Sequence, residues 1–177
     1  SLKETLEEVV KRVLETDKRL LEKNDRTVRE VNERNRRVHE ESRRAVERIL
    51  EEIDREVRDD KRVREAKTRV REILRRLEEE NREVNKRTKR SLEESRKTSK
   101  KSLDDLKRLL DEVRRVTDED TIRRIAKEAD DLLEDSRRKV EDNSRRLKRL
   151  LEESKKSNEE IVRRLEDLLR RLKKESE

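Results

Sequence analysis

NKRTKRSLEESRKTSKKS, residues 85–102, holds one apolar side chain, Leu92, and eight Lys or Arg against two Glu. Three readings compete for it: a disordered basic linker, an arm for nucleic acid, or the middle of a folded helix. Spacing selects the third. Asn85, Thr88, Ser91, Leu92, Ser95, Thr98 and Ser102 recur every three or four positions, the interval that places side chains on one face of a helix. The lysines and arginines fall between them, as a solvated face would. The same interval continues on both sides of the stretch, which a local linker would interrupt.

The chain outside this stretch supports that choice. Its 177 residues include no Gly, Pro, Cys, Met, Phe, Tyr or Trp; charged residues make up 58% and hydrophobic ones 27%. Low hydrophobicity without aromatics is a disorder signature. A chain dominated by Glu, Lys, Arg and Leu at heptad spacing is equally the signature of long helices, so periodicity arbitrates. The formal charge is +7, and residues 85–102 carry 8 − 2 = +6 of it, so the basic character is local. Without cysteine there is no disulfide framework and no thiolate metal site. No apolar run approaches the roughly 20 residues of a membrane span, and no segment reads as a signal peptide. The chain is expected to be soluble.

Apolar and small polar residues form a helical stripe along nearly the whole sequence. In the first third it runs through Leu6, Val9, Val13, Thr16, Leu20, Asn24, Val28, Val31, Asn35, Val38 and Ser42. In the last third, from Ile122 to Leu172, the mean step is about 3.57 residues, between the supercoiled 3.5 and the straight 3.6. The stripe breaks twice with one grammar, VRDDKRVRE at 57–65 and VTDEDTIRR at 116–124, offset by 59 residues. Asp59 and Asp118 fit as helix N-caps, because a short carboxylate accepts from first-turn amides. Asp60 and Glu119 then suit the positive end of the helix dipole. The spacing predicts helices over 2–57, 60–116 and 119–175, each roughly 85 Å long at about 1.5 Å per residue. Short connections make neighbours antiparallel. The expectation is an all-α, coiled-coil-like, antiparallel three-helix bundle of nearly straight helices, one bundle over 1–177.

Folding the chain at those turns aligns its polar interruptions in layers. Thr16 is expected opposite Ser102 and Ser136, and Asn24 opposite Ser95 and Asn143. Asn35 is expected opposite Asn85 and Ser154, and His39 opposite Asn81 and Ser157; Thr88 lies inward between layers. Leu, Ile and Val meet their own kind elsewhere. Such a network, when satisfied, fixes register, since a shifted pairing strands polar groups against leucine.

These features carry a resemblance. The capped turns VRDDKRVRE and VTDEDTIRR, the equal helix lengths, and Asn/Ser/Thr/His layers between Leu/Ile/Val layers resemble de novo designed helical bundles with buried hydrogen-bond networks. The TDxxTIR pattern at 117–123 is similar to turns in designed cage-and-latch switch bundles, which usually have more helices. The resemblance is one of style over the whole chain. It implies a scaffold, an oligomer module or a switch component, and no catalytic motif or cofactor.

Catalytic readings find little to stand on. His39 is the only histidine and lies on the inward stripe, so it reads as a network member rather than a pH trigger. No inward acids accompany it as metal ligands. Acid pairs such as Glu51-Glu52 and Asp130-Asp131 read as exposed ion-pair partners, lacking the pocket that catalysis needs. No glycine means no phosphate-cradling loop. The basic face offers phosphate contacts without aromatics for base stacking, so specific nucleic-acid binding is not expected; neither is a membrane partner. Two functional readings remain: a self-contained scaffold needing no partner or cofactor, and an interaction module that self-associates or accepts a designed partner helix. Doubled apolar positions such as Leu20-Leu21, Ile49-Leu50, Ile73-Leu74, Leu109-Leu110, Ile161-Val162 and Leu168-Leu169 motivate the second.

Overall fold

A computed structural model describes residues 1–175, and among them it contains three helices and no strand. They are α1, Leu2–Glu56; α2, Asp60–Arg115; and α3, Glu119–Glu175. The bounds fall within one residue of those expected, with Val57 and Val116 placed in the turns. All three helices pack against one another as an antiparallel three-helix bundle. Nothing in the sequence interrupts them: there is no Gly or Pro, and no described residue has a positive φ. Residues 85–102 are helical throughout, and each of their eight cations is exposed.

Both turns are closed by the expected aspartates. Asp59 Oδ1 accepts the Lys61 amide at 3.0 Å. Asp118 Oδ2 accepts the Thr121 amide at 3.0 Å, and the Thr121 hydroxyl donates to both carboxylate oxygens at 2.8 and 2.7 Å. The Thr121 hydroxyl first, and its amide second, hold the Asp118 carboxyl below the usual carboxylate range. These bonds satisfy donors that a helix start leaves without an intrahelical acceptor. At the opposite pole of the dipole, Lys173 in the last turn of α3 reaches Glu52 at 3.1 Å and Glu56 at 3.0 Å on α1. Those two carboxylates, Glu56 foremost, raise its pKa.

Contacts divide the chain into two compact units, to each of which all three helices contribute a segment. The first comprises Ser1–Arg29 and Lys89–Leu147. Its apolar core gathers Leu6, Val10 and Val13 from α1, Leu106, Leu109 and Val113 from α2, and Ile125 and Ala129 from α3. The start of α1 thus packs on the end of α2 and the start of α3. The second unit comprises Glu30–Thr88 and the chain from Lys148 onward. Val46, Ile49, Ile53 and Val57 there meet Ala66, Val70 and Leu77, and Leu165, Leu169 and Leu172. In each unit the apolar cluster lies toward a turn, and the buried asparagines lie away from it.

Burying a leucine or isoleucine contributes roughly 1.5–3 kcal/mol, and deleting one adds the cost of the cavity left behind. Leu106 is 0% exposed, whereas Leu2 is 54% exposed. Leu106→Ala is therefore expected to lower stability by about 2–5 kcal/mol, and Leu2→Ala by less than about 0.5 kcal/mol. Guanidinium unfolding followed by far-UV circular dichroism checks both; similar midpoints for the two variants would contradict this core assignment.

Candidate functional site

The polar interior is built from one residue per helix, once in each unit. In the first unit, Asn143 Nδ2 donates to Asn24 Oδ1 at 2.7 Å, and the Ser91 hydroxyl donates to Asn143 Oδ1. In the second, Asn35 Nδ2 donates to Asn81 Oδ1 at 3.0 Å, and Asn35 Oδ1 accepts from the Ser154 hydroxyl at 2.9 Å. Asn24 and Asn35 are each 1% exposed. The pairings of α1 with α3 are those expected from the sequence. The α2 members differ, and in one direction. Ser91 takes the place expected for Ser95, and Asn81 the place expected for Asn85, each one helical turn earlier. Residues four apart share a helix face, so both alignments satisfy the stripe and only packing separates them. Asn85 is exposed; Ser95 is half-buried and lines a cleft.

The other expected layers assemble partially. Ser102 and Ser136 are 3.0 Å apart, hydroxyl to hydroxyl. Thr16 does not join them; it donates to its own helix at the Arg12 carbonyl, 2.9 Å away. The Ser157 hydroxyl donates to the exposed Glu80 carboxylate at 2.9 Å rather than to the His39 layer. Thr88 is fully buried and donates to the Val84 carbonyl. Ser42 donates likewise to the Val38 carbonyl at 3.0 Å, and Asn158 Nδ2 to the Ser154 carbonyl at 2.7 Å. Such bonds to the preceding turn satisfy a buried donor without any neighbour.

His39 is half-buried, and its Nδ1 is buried without a hydrogen-bond partner. Desolvation holds its pKa below the usual 6.5, reinforced by Arg43 and opposed by Glu78 and Glu40. Among the described residues, no group of three or more His, Cys, Asp or Glu could hold a metal ion. No helix of the described residues is long and apolar enough to cross a membrane.

Three buried polar residues stood outside the assigned layers: Asp17, Ser42 and Asn158. Asp17 is the notable one. It is 3% exposed, and its Oδ2 has no hydrogen-bond partner. It lines a cleft of about 240 Å³ in the first unit, together with Leu20, Leu21, Asn24, Ser95, Thr98, Ser99, Ser136, Val140 and others. Asn24 Nδ2 also lacks a partner there. Both unpartnered atoms are sealed from solvent rather than open to the cleft. A sequence signal for Asp17 and Asn158 exists. Asp17 lies seven residues from both Val10 and Asn24, and Asn158 seven from both Leu151 and Leu165, all of them buried. A strict heptad places both inside.

No family model, curated protein or solved structure matches the chain.

Two outcomes follow from this interior. Asn35→Leu leaves the Asn81 carbonyl oxygen and the Ser154 hydroxyl without partners and is expected to cost about 1–3 kcal/mol. Adding Asn81→Leu and Ser154→Ala removes the stranded groups and is expected to recover most of that loss, since an apolar replacement of a whole polar cluster can be near neutral. Denaturant melts of the single and triple variants test this, and an additive loss in the triple variant would refute the bridge. The second outcome concerns His39. Its folded pKa lies below the unfolded 6.5, so the unfolded chain binds more protons between those values. Stability should be full above pH 6.5, fall as pH drops toward the folded pKa, and level off below it. The Tm difference between the native chain and His39→Leu, measured across this range, should carry that step; a flat difference would contradict it.

Proposed function

We propose that the chain is a structural scaffold without catalytic activity, its interior specified by alternating apolar and polar layers in the manner of the designed bundles it resembles. One observation supports this reading above the others. Among the described residues, Leu2 is the only exposed large hydrophobic side chain. Each unit thus covers its apolar face with its own three helical segments, and what remains outside is a mixed-charge surface of short-range ion pairs. Pairs such as Arg36 with Glu33 and Glu40, or Arg124 with Glu128, lie within one turn of a single helix. Exposed pairs of this kind contribute little to stability; they keep the surface solvated and free of large apolar patches.

A second reading, an interaction module, draws on the doubled apolar positions. Both members of Leu20-Leu21, Ile73-Leu74 and Ile161-Val162 are only half-buried, so a neighbouring helix would gain area by covering them. A further copy of the chain or a designed partner helix would be the occupant.

Absolute mass in solution separates the two. Light scattering behind a sizing column, with refractive-index detection because Trp and Tyr are absent, should give one species at 21.7 kDa over a wide dilution range. A mass that rises in integer multiples with concentration would favour the interaction module and move the half-buried pairs into an interface between copies.

A further inference from the structure

The outer face of α2 in the first unit carries a charge that the scaffold reading leaves unused. Lys89, Arg90, Arg96, Lys97, Lys100 and Lys101 are all exposed there. Glu93 and Glu94 are the only carboxylates among them in the sequence. At 3.6 residues per turn the six cations fall within an arc of roughly 140° over just over three turns. The opposite side of the helix carries Ser91, bonded to Asn143, and Ser102, bonded to Ser136, both partners on α3. On other faces a cation takes a carboxylate one turn away, as Arg36 does with Glu40, Arg124 with Glu128 and Lys139 with Asp135. On this face Arg96 reaches Asp25 of α1 at 3.8 Å. Among the described residues, Lys89, Arg90, Lys97, Lys100 and Lys101 form no ion pair. Arg96 and Lys100, and Lys97 and Lys101, stand four apart, where like charges repel. The bare face therefore costs stability, and a bound polyanion relieves that cost.

The form of the face selects among polyanions. Its cations sit on a regular helix, so they make a fixed line of charge rather than a flexible arm. A duplex supplies the matching partner, with one negative charge per about 1.7 Å of its axis. The chain has no aromatic residue on which the bases of a single strand could stack. Leu92, the one apolar side chain of the stretch, is half-buried, so nothing apolar is offered to a membrane. α2 also has its neighbours α1 and α3 packed beside it, and a major groove about 12 Å wide admits a single helix. The face therefore lies across the backbone and does not enter the groove. We propose that this face binds the phosphate backbone of duplex DNA without reading its sequence. Phosphate contacts position a protein and carry no sequence information.

Fluorescence anisotropy of labelled duplexes of about 20 base pairs, titrated with the full chain, tests the face. Five neutralised phosphates give a slope of log affinity against log salt of about −4.5, a loss of about 500-fold between 50 and 200 mM salt. Two duplexes of unrelated sequence should bind within about threefold of each other. Lys97→Gln, Lys100→Gln and Lys101→Gln together keep helix propensity. They should weaken binding at 50 mM salt at least tenfold and flatten the slope by about 2.7. The same charge change in the second unit, Arg163→Gln, Arg164→Gln and Arg171→Gln, should leave the slope unchanged. Equal weakening by the two triple variants would mean attraction by net charge alone and would overturn the proposal. So would an absence of binding at 50 mM salt, or a more than tenfold preference between the two sequences. Tighter binding to phosphatidylserine vesicles than to the duplex would assign the face to a membrane surface and overturn it as well. Should the α2 triple variant fail to fold by far-UV circular dichroism, the salt slope and the sequence comparison on the native chain decide the outcome. The free chain's solution mass is untouched by any of these results, so the scaffold reading stands or falls separately.

Discussion

A carboxamide sealed among three helices has no water to fall back on. Asn35 meets that constraint by spending its two ends on different helices: its amide on Asn81 of α2 and its oxygen on Ser154 of α3. Asn143 does the same between Asn24 and Ser91. Apolar packing alone would tolerate many alignments of three stripes made of leucine, isoleucine and valine. The bridging asparagines narrow the choice for α1 against α3, since sliding either by a turn takes Asn24 off Asn143 and sets a buried carboxamide against an apolar side chain. The apolar clusters supply most of the driving force and select the alignment of α2, and the asparagines select the alignment of α1 with α3.

Much of this was legible in the residues. The helix bounds followed from the stripe and from two aspartates placed where the first-turn amides emerge. The pairing of α1 with α3 followed from the matched positions of Asn24 with Asn143 and Asn35 with Ser154. The alignment of α2 was not legible, because Asn81 and Asn85, like Ser91 and Ser95, offer the same chemistry one turn apart on the same face. The choice between such pairs rests on how the flanking apolar side chains pack, which residue spacing does not encode. Thr16 illustrates a different limit. A threonine on the stripe reads as a network member, yet its hydroxyl bonds its own backbone, and the adjacent carboxylate of Asp17 takes the interior position.

Asp17 and Asn158 are buried despite their polarity. Both sit on a strict seven-residue repeat with buried neighbours, and the repeat outweighs the polarity of the side chain at those positions. Asp17 carries the consequence furthest, since it places an ionisable group beside Leu20 and Leu21 at the wall of a cleft. The His39 ring carries a milder version: a half-buried imidazole whose inner nitrogen finds no donor or acceptor.

The hydroxyls of Ser42 and Thr88 and the amide of Asn158 bond to the preceding turn of their own helix. Each carries its acceptor with it wherever the helix goes. Ser42 and Thr88 are thus polar in composition and mute in alignment: they make no demand on the surface opposite, and a neighbouring helix could slip past them without breaking a bond, whereas Asn158 keeps a buried Oδ1 without a partner. The polar interior therefore contains two populations that look alike in the sequence. One locks the three helices together, and the other lubricates them, softening the steric interlock between locks while adding no preference of its own.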